Sequence, residues 1–323
     1  MANNFTEEYV AINGIEQYFL HMPGDGQDVL IMLHGGPGLA NSYLAYYQQP
    51  YAGFCNVVYY DQRGAGKTQI RNKSAAESLT FEALLEDLRR TVEYVRRKYG
   101  TDRIFLVGHS WGTVLGTQYV LNYPGDVAGY IGYGQVVCGA KQDRFYYEFV
   151  KDAVMKSGDA QQITAIGQVR ESFPDVPREE YFAQYSIVAG LGFGHGYDFT
   201  ARDVFEIYMG SPTWGEEDAL AAESIEKLNE GLYAQALFGW SVLDVRDYAV
   251  PMYYILGRHD QMTSSAIASE YFERINAPAK GLYWIEDAGH LLDTDNPEAF
   301  FGAVREVLRA GFQTRPSAVS RRT

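Results

Sequence analysis

Gly108-His109-Ser110-Trp111-Gly112 is the stretch that decides how this chain of 323 residues is interpreted. It follows the apolar run RIFLV at 103–107, typical of a buried strand, and it leads into Trp111–Asn122, which has the pattern of a helix. The pattern G-x-S-x-G in this setting predicts a sharp strand-to-helix turn that lifts the Ser110 hydroxyl above the sheet. The helix N-terminus beneath the serine favours negative charge that develops there. We therefore predict that Ser110 is a nucleophile.

Strand and helix patterns alternate on both sides of this turn. Thr80 stands at the N-cap position of a helix with apolar spacing from Phe81 to Tyr99. The alternation predicts an α/β fold with a mostly parallel central sheet and helices on both faces. The predicted strands are 9–12, 15–21, 28–33, 56–60, 103–107, 127–133, 251–256 and 281–285, and the predicted core helices are 81–99, 111–122 and 297–310.

The pattern changes between residues 139 and 245, where the periodicity is helical and aromatic side chains are frequent. We therefore expect an α/β core made of 1–138 and 246–310, interrupted by a helical cap at 139–245. The mostly polar residues 311–323 are expected to form a loose tail. Ligands of open α/β sheets bind at the carboxyl ends of the strands, so the loops that follow strands are where functional residues are expected.

A nucleophilic serine needs a base and a carboxylate, and in folds with this turn they follow in the order serine, acid, histidine. Asp260 comes just after the predicted strand 251–256, and His290 is the one histidine of six that follows Asp260. Asp244 and Asp247 precede that strand and would lie at its opposite end. We predict Asp260 as the acid and His290 as the base.

An oxyanion hole is predicted in His34-Gly35-Gly36-Pro37-Gly38, which follows the strand at 28–33. Glycine leaves a backbone N–H accessible to a substrate. We assign the N–H of Gly36 as one donor, with Gly35 as its competitor, and the N–H of Trp111 as the second. His34 is interpreted as structural.

The composition excludes several classes of function. The 27 Lys and Arg against 41 Asp and Glu give a net charge of −14, which argues against nucleic acid as a partner. Two cysteines form neither a disulfide framework nor a zinc pattern, and we expect neither a metal nor a cofactor. We see no signal peptide and no apolar stretch long enough for a membrane, so we expect a cytoplasmic protein without a membrane partner. The expected partner is a small molecule or short peptide, and the oligomeric state is left open.

Five motifs together resemble the α/β-hydrolase superfamily and, within it, the proline iminopeptidase family of serine peptidases. They are HGGPG at 34–38, DQRGAG at 61–66, GHSWG at 108–112, GRHD at 257–260 and Gly289-His290. The resemblance implies a triad of Ser110, Asp260 and His290 and an oxyanion hole of Gly36 and Trp111. It also implies release of an N-terminal residue, often proline, from short peptides without a cofactor.

The chain departs from that family where the free amino group of the substrate would bind. Family members hold this group with acidic residues, and some have Glu directly after the catalytic acid, where this chain has Gln261. Residues 210–214 of the predicted cap lack the expected Glu, and Glu216, Glu217, Asp218 or Glu230 could replace it. The candidates for substrate binding are Gly35, Trp214, Glu230 and Gln261.

The departure leaves alternatives open. The scaffold also suits a carboxylesterase, an amidase or a lactonase acting on small acyl substrates, and a non-catalytic ligand-binding member of the fold is a third possibility. Epoxide and halide hydrolases carry Asp at the nucleophile position, which here is Ser110.

Overall fold

Eight strands form one sheet in the computed structural model, which describes residues 5–73, 79–197, 201–233 and 237–313. The strands are β1 (Thr6–Ile12), β2 (Ile15–Met22), β3 (Val29–Leu33), β4 (Asn56–Tyr60), β5 (Ile104–His109), β6 (Val127–Tyr133), β7 (Met252–Gly257) and β8 (Lys280–Ile285). The helices are α1 (Gly66–Arg71), α2 (Phe81–Tyr99), α3 (Trp111–Asn122), α4 (Gly139–Ser157), α5 (Ala160–Ile166), α6 (Arg178–Gly190), α7 (Ala201–Met209), α8 (Glu216–Leu232), α9 (Ser265–Arg274), α10 (Leu292–Asp295) and α11 (Pro297–Gln313). No helix within those ranges combines the length and the apolar character needed to cross a membrane.

The strand order across the sheet is β1-β2-β4-β3-β5-β6-β7-β8. The pairs β1–β2 and β2–β4 are antiparallel, and every pair from β4 to β8 is parallel. The predicted fold class, α/β with a mostly parallel sheet, is confirmed. The loops that follow β3, β5, β7 and β8 therefore meet at one edge of the sheet.

Burial on both faces explains the continuous apolar strands. In β3, Ile31 and Leu33 belong to one hydrophobic cluster, while Leu30 and Met32 belong to another. Successive side chains of a strand point to opposite faces, so both faces must be covered.

Most predicted boundaries agree with the structure because local periodicity fixes them. The helix α2 begins after Thr80, whose side chain accepts a hydrogen bond from the Ala83 N–H at 3.1 Å. The last helix differs, since α11 continues to Gln313 where the sequence predicts an end near Ala310. The remainder of the predicted tail, 314–323, lies outside the described residues.

The helices α4 to α8 lie between β6 and β7, in the stretch predicted to be the cap. An ion pair of low exposure ties this stretch to the core, with Lys67 Nζ 3.1 Å from Asp218 Oδ2. The Tyr43 hydroxyl donates to the same carboxylate at 2.6 Å. The division of the chain at residues 138 and 245 stays a prediction.

The helix α3 begins in backbone contact with β3. A Cβ atom added at Gly112 would lie 2.0 Å from the carbonyl oxygen of Leu33, closer than any real side chain allows. Only glycine at this position lets the chain turn directly from β5 into α3.

We predict that Gly112→Ala lowers the free energy of unfolding by about 3 kcal/mol or more, because the added methyl meets backbone atoms that cannot move aside. Chemical denaturation followed by circular dichroism measures the change. Gly125→Ala is the control, since nothing lies within 4 Å of its added Cβ, and it should change stability by less than about 0.5 kcal/mol. Equal stability of the two variants would contradict the close packing of α3 on β3.

Candidate active site

Ser110 occupies a strained turn between β5 and α3. Its backbone has φ of 51° and ψ of −119°, and it is the N-cap residue of α3. A positive φ is uncommon for a residue with a side chain and persists only where the surrounding structure enforces it. The Ser110 N–H donates to the Tyr133 carbonyl at 3.1 Å, which ties the turn to the end of β6.

Asp260 and His290 form a buried pair on the loops after β7 and β8. The Nδ1 atom of His290 lies 3.0 Å from Asp260 Oδ2, and both side chains are almost fully buried. Thr263 supports the carboxylate with its N–H on Oδ1 at 2.9 Å and its hydroxyl on Oδ2 at 2.7 Å. The same hydroxyl is 3.2 Å from His290 Nδ1. Sequence reasoning missed Thr263, because its role depends on the conformation of this loop.

The Asp260 carboxyl is held in its charged form. Burial by itself would raise its pKa, but the nearby His290 and the hydrogen bonds from His290 and Thr263 outweigh burial and lower the pKa below the usual value. A carboxylate fixed in this way can orient the imidazole through its hydrogen bond.

His109 joins the loop of His290 to the turn at Ser110. The His109 and His290 rings lie 4.9 Å apart between centroids, and His109 Nε2 donates to the His290 carbonyl at 3.2 Å. Burial lowers the pKa of His109 to about 3, so this ring stays neutral. Because His109 directly precedes Ser110, these contacts join the loop of the predicted base to the residue next to the predicted nucleophile.

A small cavity opens at Ser110. Both predicted oxyanion donors, Gly36 and Trp111, line it. The backbone of Gly36 has a φ of +106°. Trp111 is the first residue of α3, so its N–H has no partner within the helix. Gly35 is buried behind them, where an added Cβ would lie 3.3 Å from Ser110 Cβ. The full lining is Gly36, Ser110, Trp111, Val136, Gly139, Gln142, Asp143, Tyr185, Leu237, Met262 and Thr263.

Asp143 is the acidic residue of this lining that the sequence reasoning missed. It lies in α4, and its Oδ2 accepts a hydrogen bond from the Tyr181 hydroxyl. Burial raises the pKa of Asp143 to about 7. A signal was available, because Asp143 stands on the same helix face as the buried Tyr146, Tyr147 and Val150. A carboxylate within the apolar face of a helix is expected to be buried, and a buried carboxylate needs a partner.

Three other predicted binding residues do not line the cavity, and their role stays a prediction. Trp214 packs against Tyr43, with ring centroids 4.9 Å apart, and Glu230 is exposed. Gln261 packs beside the cap, where an added Cβ at Gly194 would be 3.3 Å from its Cβ. The cavity lining within the described residues contains none of these three, although Met262 and Thr263 directly follow Gln261.

His34 links two loops of the core. The Gln62 N–H donates to His34 Nε2 at 3.1 Å, which leaves Nδ1 to donate to the Gly35 carbonyl at 2.9 Å. Burial lowers the pKa of His34 to about 4, so the ring is neutral. These contacts agree with the structural interpretation of His34.

The comparison with protein families agrees with this geometry. Residues 30–303 match the model of the alpha/beta hydrolase family. The chain belongs to this family. The matched range runs from β3 into α11 and includes Ser110, Asp260 and His290.

Two curated relatives of this chain carry peptidase names. The probable aminopeptidase YbaC of Bacillus subtilis (strain 168) is 23% identical over 300 residues, which are 91% of each chain. A proline iminopeptidase of Lactobacillus delbrueckii subsp. lactis is 33% identical over 121 residues, 36% of this chain and 40% of that protein. The resemblance to proline iminopeptidases that the motifs indicate is confirmed.

Solved structures share the fold. The crystal structure of a proline iminopeptidase-related protein from Thermus thermophilus has a TM-score of 0.66 and 24% identity, covering 95% of this chain and 98% of that one. An esterase from Exiguobacterium antarcticum has a TM-score of 0.62 and 16% identity, covering 94% of this chain and 100% of that one. The alpha/beta hydrolase scaffold is therefore common to peptidase-related proteins and esterases.

We predict that Thr263→Val lowers kcat/KM about tenfold for any hydrolysed substrate. The substitution keeps the shape but removes the hydroxyl that donates to Asp260, and one hydrogen bond to a charged group contributes about 1.5–3 kcal/mol. Thr263→Ser retains the donor and should stay within about twofold of wild type. Hydrolysis of p-nitrophenyl acetate by the three proteins measures this, and equal losses in both variants would contradict the assigned role of the hydroxyl.

Proposed function

We propose that this alpha/beta hydrolase is a serine hydrolase that acts on small substrates through an acyl-enzyme. Ser110 Oγ attacks the substrate carbonyl while His290 takes its proton and later returns it to the leaving group. Asp260 orients the imidazole of His290 and stabilises its charged form. The mechanism needs no cofactor.

The strained turn at Ser110 is the observation that carries the proposal. Strain of this kind is retained at functional sites when the surrounding structure enforces it. The N–H groups of Gly36 and Trp111 are assigned to the oxyanion of the tetrahedral intermediate. Loss of one such donor raises the barrier by about 3–4 kcal/mol.

Within this class we propose an aminopeptidase that releases N-terminal residues, including proline, from short peptides. Asp143 supports this choice because it brings a carboxylate from the cap into the cavity that contains Ser110. A substrate ammonium would form a charge-assisted hydrogen bond with it. Asp143 would then replace the acidic residues that the sequence lacks at Gln261 and in the segment 210–214.

An esterase acting on short acyl groups is the second candidate. The apolar side chains of Val136, Leu237 and Met262 line the cavity and suit an acyl chain as well as a proline ring. The response of the two substrate types to substitution of Asp143 separates these candidates.

Ser110→Ala should abolish hydrolysis and labelling by a fluorophosphonate while leaving the fold intact. The probe reacts with an activated serine, and alanine has no hydroxyl to react. Gel fluorescence measures labelling, and thermal unfolding provides the control for folding. Labelling that persists in Ser110→Ala would exclude Ser110 as the nucleophile. A wild-type protein that no serine-directed probe labels would favour the non-catalytic alternative.

Asp143→Asn should lower kcat/KM at least about tenfold for proline naphthylamide, because a hydrogen bond between charged groups is lost. Rates on N-acetylproline naphthylamide and on short acyl esters should change by less than about twofold. Asp152→Asn is the matched control, since Asp152 is an exposed carboxylate of the same helix. Equal wild-type rates on the free and the acetylated amide would refute amine recognition and favour the esterase.

The pH dependence should differ between the two kinds of substrate. Because burial raises the pKa of Asp143 to about 7, the carboxyl is neutral below that pH and charged above it. For proline naphthylamide, kcat/KM should therefore rise with pH through about 7 in wild type, and this rise should be weaker in Asp143→Asn. Identical profiles of the two proteins would contradict binding by the charged form of Asp143.

A further inference from the structure

We propose that Asp295 is a positioning residue for His290, which it holds in place by joining the His290 loop to the cap. The inference rests on the serine hydrolase mechanism proposed above. In this proposal the cap helps to position the base, in addition to selecting the substrate.

Asp295 binds backbone N–H groups from two separate parts of the chain. It is the last residue of α10, and its Oδ2 accepts from the Gly289 N–H at 2.7 Å. Both of its oxygens lie 2.9 Å from the N atom of Tyr197, in the cap segment at 190–197. Because Gly289 directly precedes His290, this one carboxylate connects the cap segment to the loop of the base.

The cap segment also binds His290 itself. The His290 N–H donates to the His195 carbonyl at 3.1 Å, and the His290 carbonyl accepts from His109 Nε2 at 3.2 Å. The backbone of the base is thus fixed by the cap on one side and by the turn at Ser110 on the other. His195 is two residues from Tyr197, so the contact with Asp295 fixes the segment that in turn fixes His290.

The two loops are in backbone contact. An added Cβ at Gly289 would lie 2.7 Å from the carbonyl carbon of Gly196 and 2.9 Å from the N atom of Tyr197. The Tyr197 ring also lies 4.6 Å from the ring of His259, the residue before Asp260. The same cap segment therefore contacts the loops of both the acid and the base.

A displacement of His290 would affect the chemical step more than substrate binding. Neither Asp295 nor Tyr197 is among the described residues that line the cavity. Misplacement of a catalytic group by about 1 Å can cost about a hundredfold in rate, and such a loss lowers kcat while KM stays constant.

Asp295→Ala tests the proposal, because Oδ2 of Asp295 accepts from both N–H groups and alanine, which has no side-chain acceptor, loses both connections. We expect kcat to fall about 10- to 100-fold, KM to stay within about twofold, and fluorophosphonate labelling to slow in proportion to kcat. Asp287→Ala is the matched control, since Asp287 is an exposed carboxylate three residues before His290. It removes the same charge from the same loop and should leave kcat within about twofold of wild type.

A second pair of variants tests the connection from the cap side. Tyr197→Pro removes the N–H that Asp295 accepts, whereas Tyr197→Ala keeps it and removes only the ring. We expect kcat to fall further in Tyr197→Pro than in Tyr197→Ala. This pair tests the proposal if Asp295→Ala does not fold.

Two results would overturn the proposal while leaving the hydrolase mechanism intact. One is that wild type is labelled while Asp295→Ala and Asp287→Ala have equal kcat and equal labelling rates. The other is equal kcat in the two Tyr197 variants. A wild-type protein that is not labelled would instead overturn the proposed function and this inference with it.

Discussion

The contact between the start of α3 and strand β3 is the constraint on which the site depends. With glycine at position 112, the helix backbone approaches the Leu33 carbonyl more closely than any side chain would permit. Ser110 is therefore the single residue between the end of β5 and the start of α3. Its φ is 51°, a strained value that a less crowded turn would not enforce. That conformation places the serine above the sheet and the N-terminus of α3 beneath it, where developing negative charge is stabilised.

The parallel sheet brings the remaining parts of the site to this turn. Strands β3, β5, β7 and β8 run in the same direction, so the loops after them meet at one edge although they are far apart in sequence. The glycine-rich turn at 34–38, Ser110, Asp260 and His290 each follow one of these strands. The helix α4 also starts after β6 at this edge, and Asp143 in its first turns reaches the cavity for that reason.

The cap contacts one predicted oxyanion donor and the loops of the predicted acid and base. The Tyr233 hydroxyl donates to the Gly36 carbonyl at 3.0 Å, which fixes the turn of the predicted oxyanion hole. Gln142 of α4 donates to the Thr263 carbonyl in the loop of the acid. The His195 carbonyl accepts from the N–H of His290. Movement of the cap would therefore disturb the predicted oxyanion donor, acid and base together.

The sequence by itself determined the strands, the helices and the fold class, because apolar periodicity, capping residues and glycine requirements act locally. It also predicted Ser110, Asp260 and His290, since the order of strands and loops in a parallel sheet constrains which residues can meet. Only the tertiary structure decided that Asp143 lines the cavity, that Thr263 supports Asp260, and that Trp214 and Glu230 are outside the cavity lining. The positions of Asp143, Trp214 and Glu230 depend on how the cap helices pack on the core, and the contact of Thr263 depends on the conformation of the loop after β7. Helix packing follows no rule of chain order comparable to that of the sheet, and so the local pattern can mark Asp143 as unusual without saying where it lies.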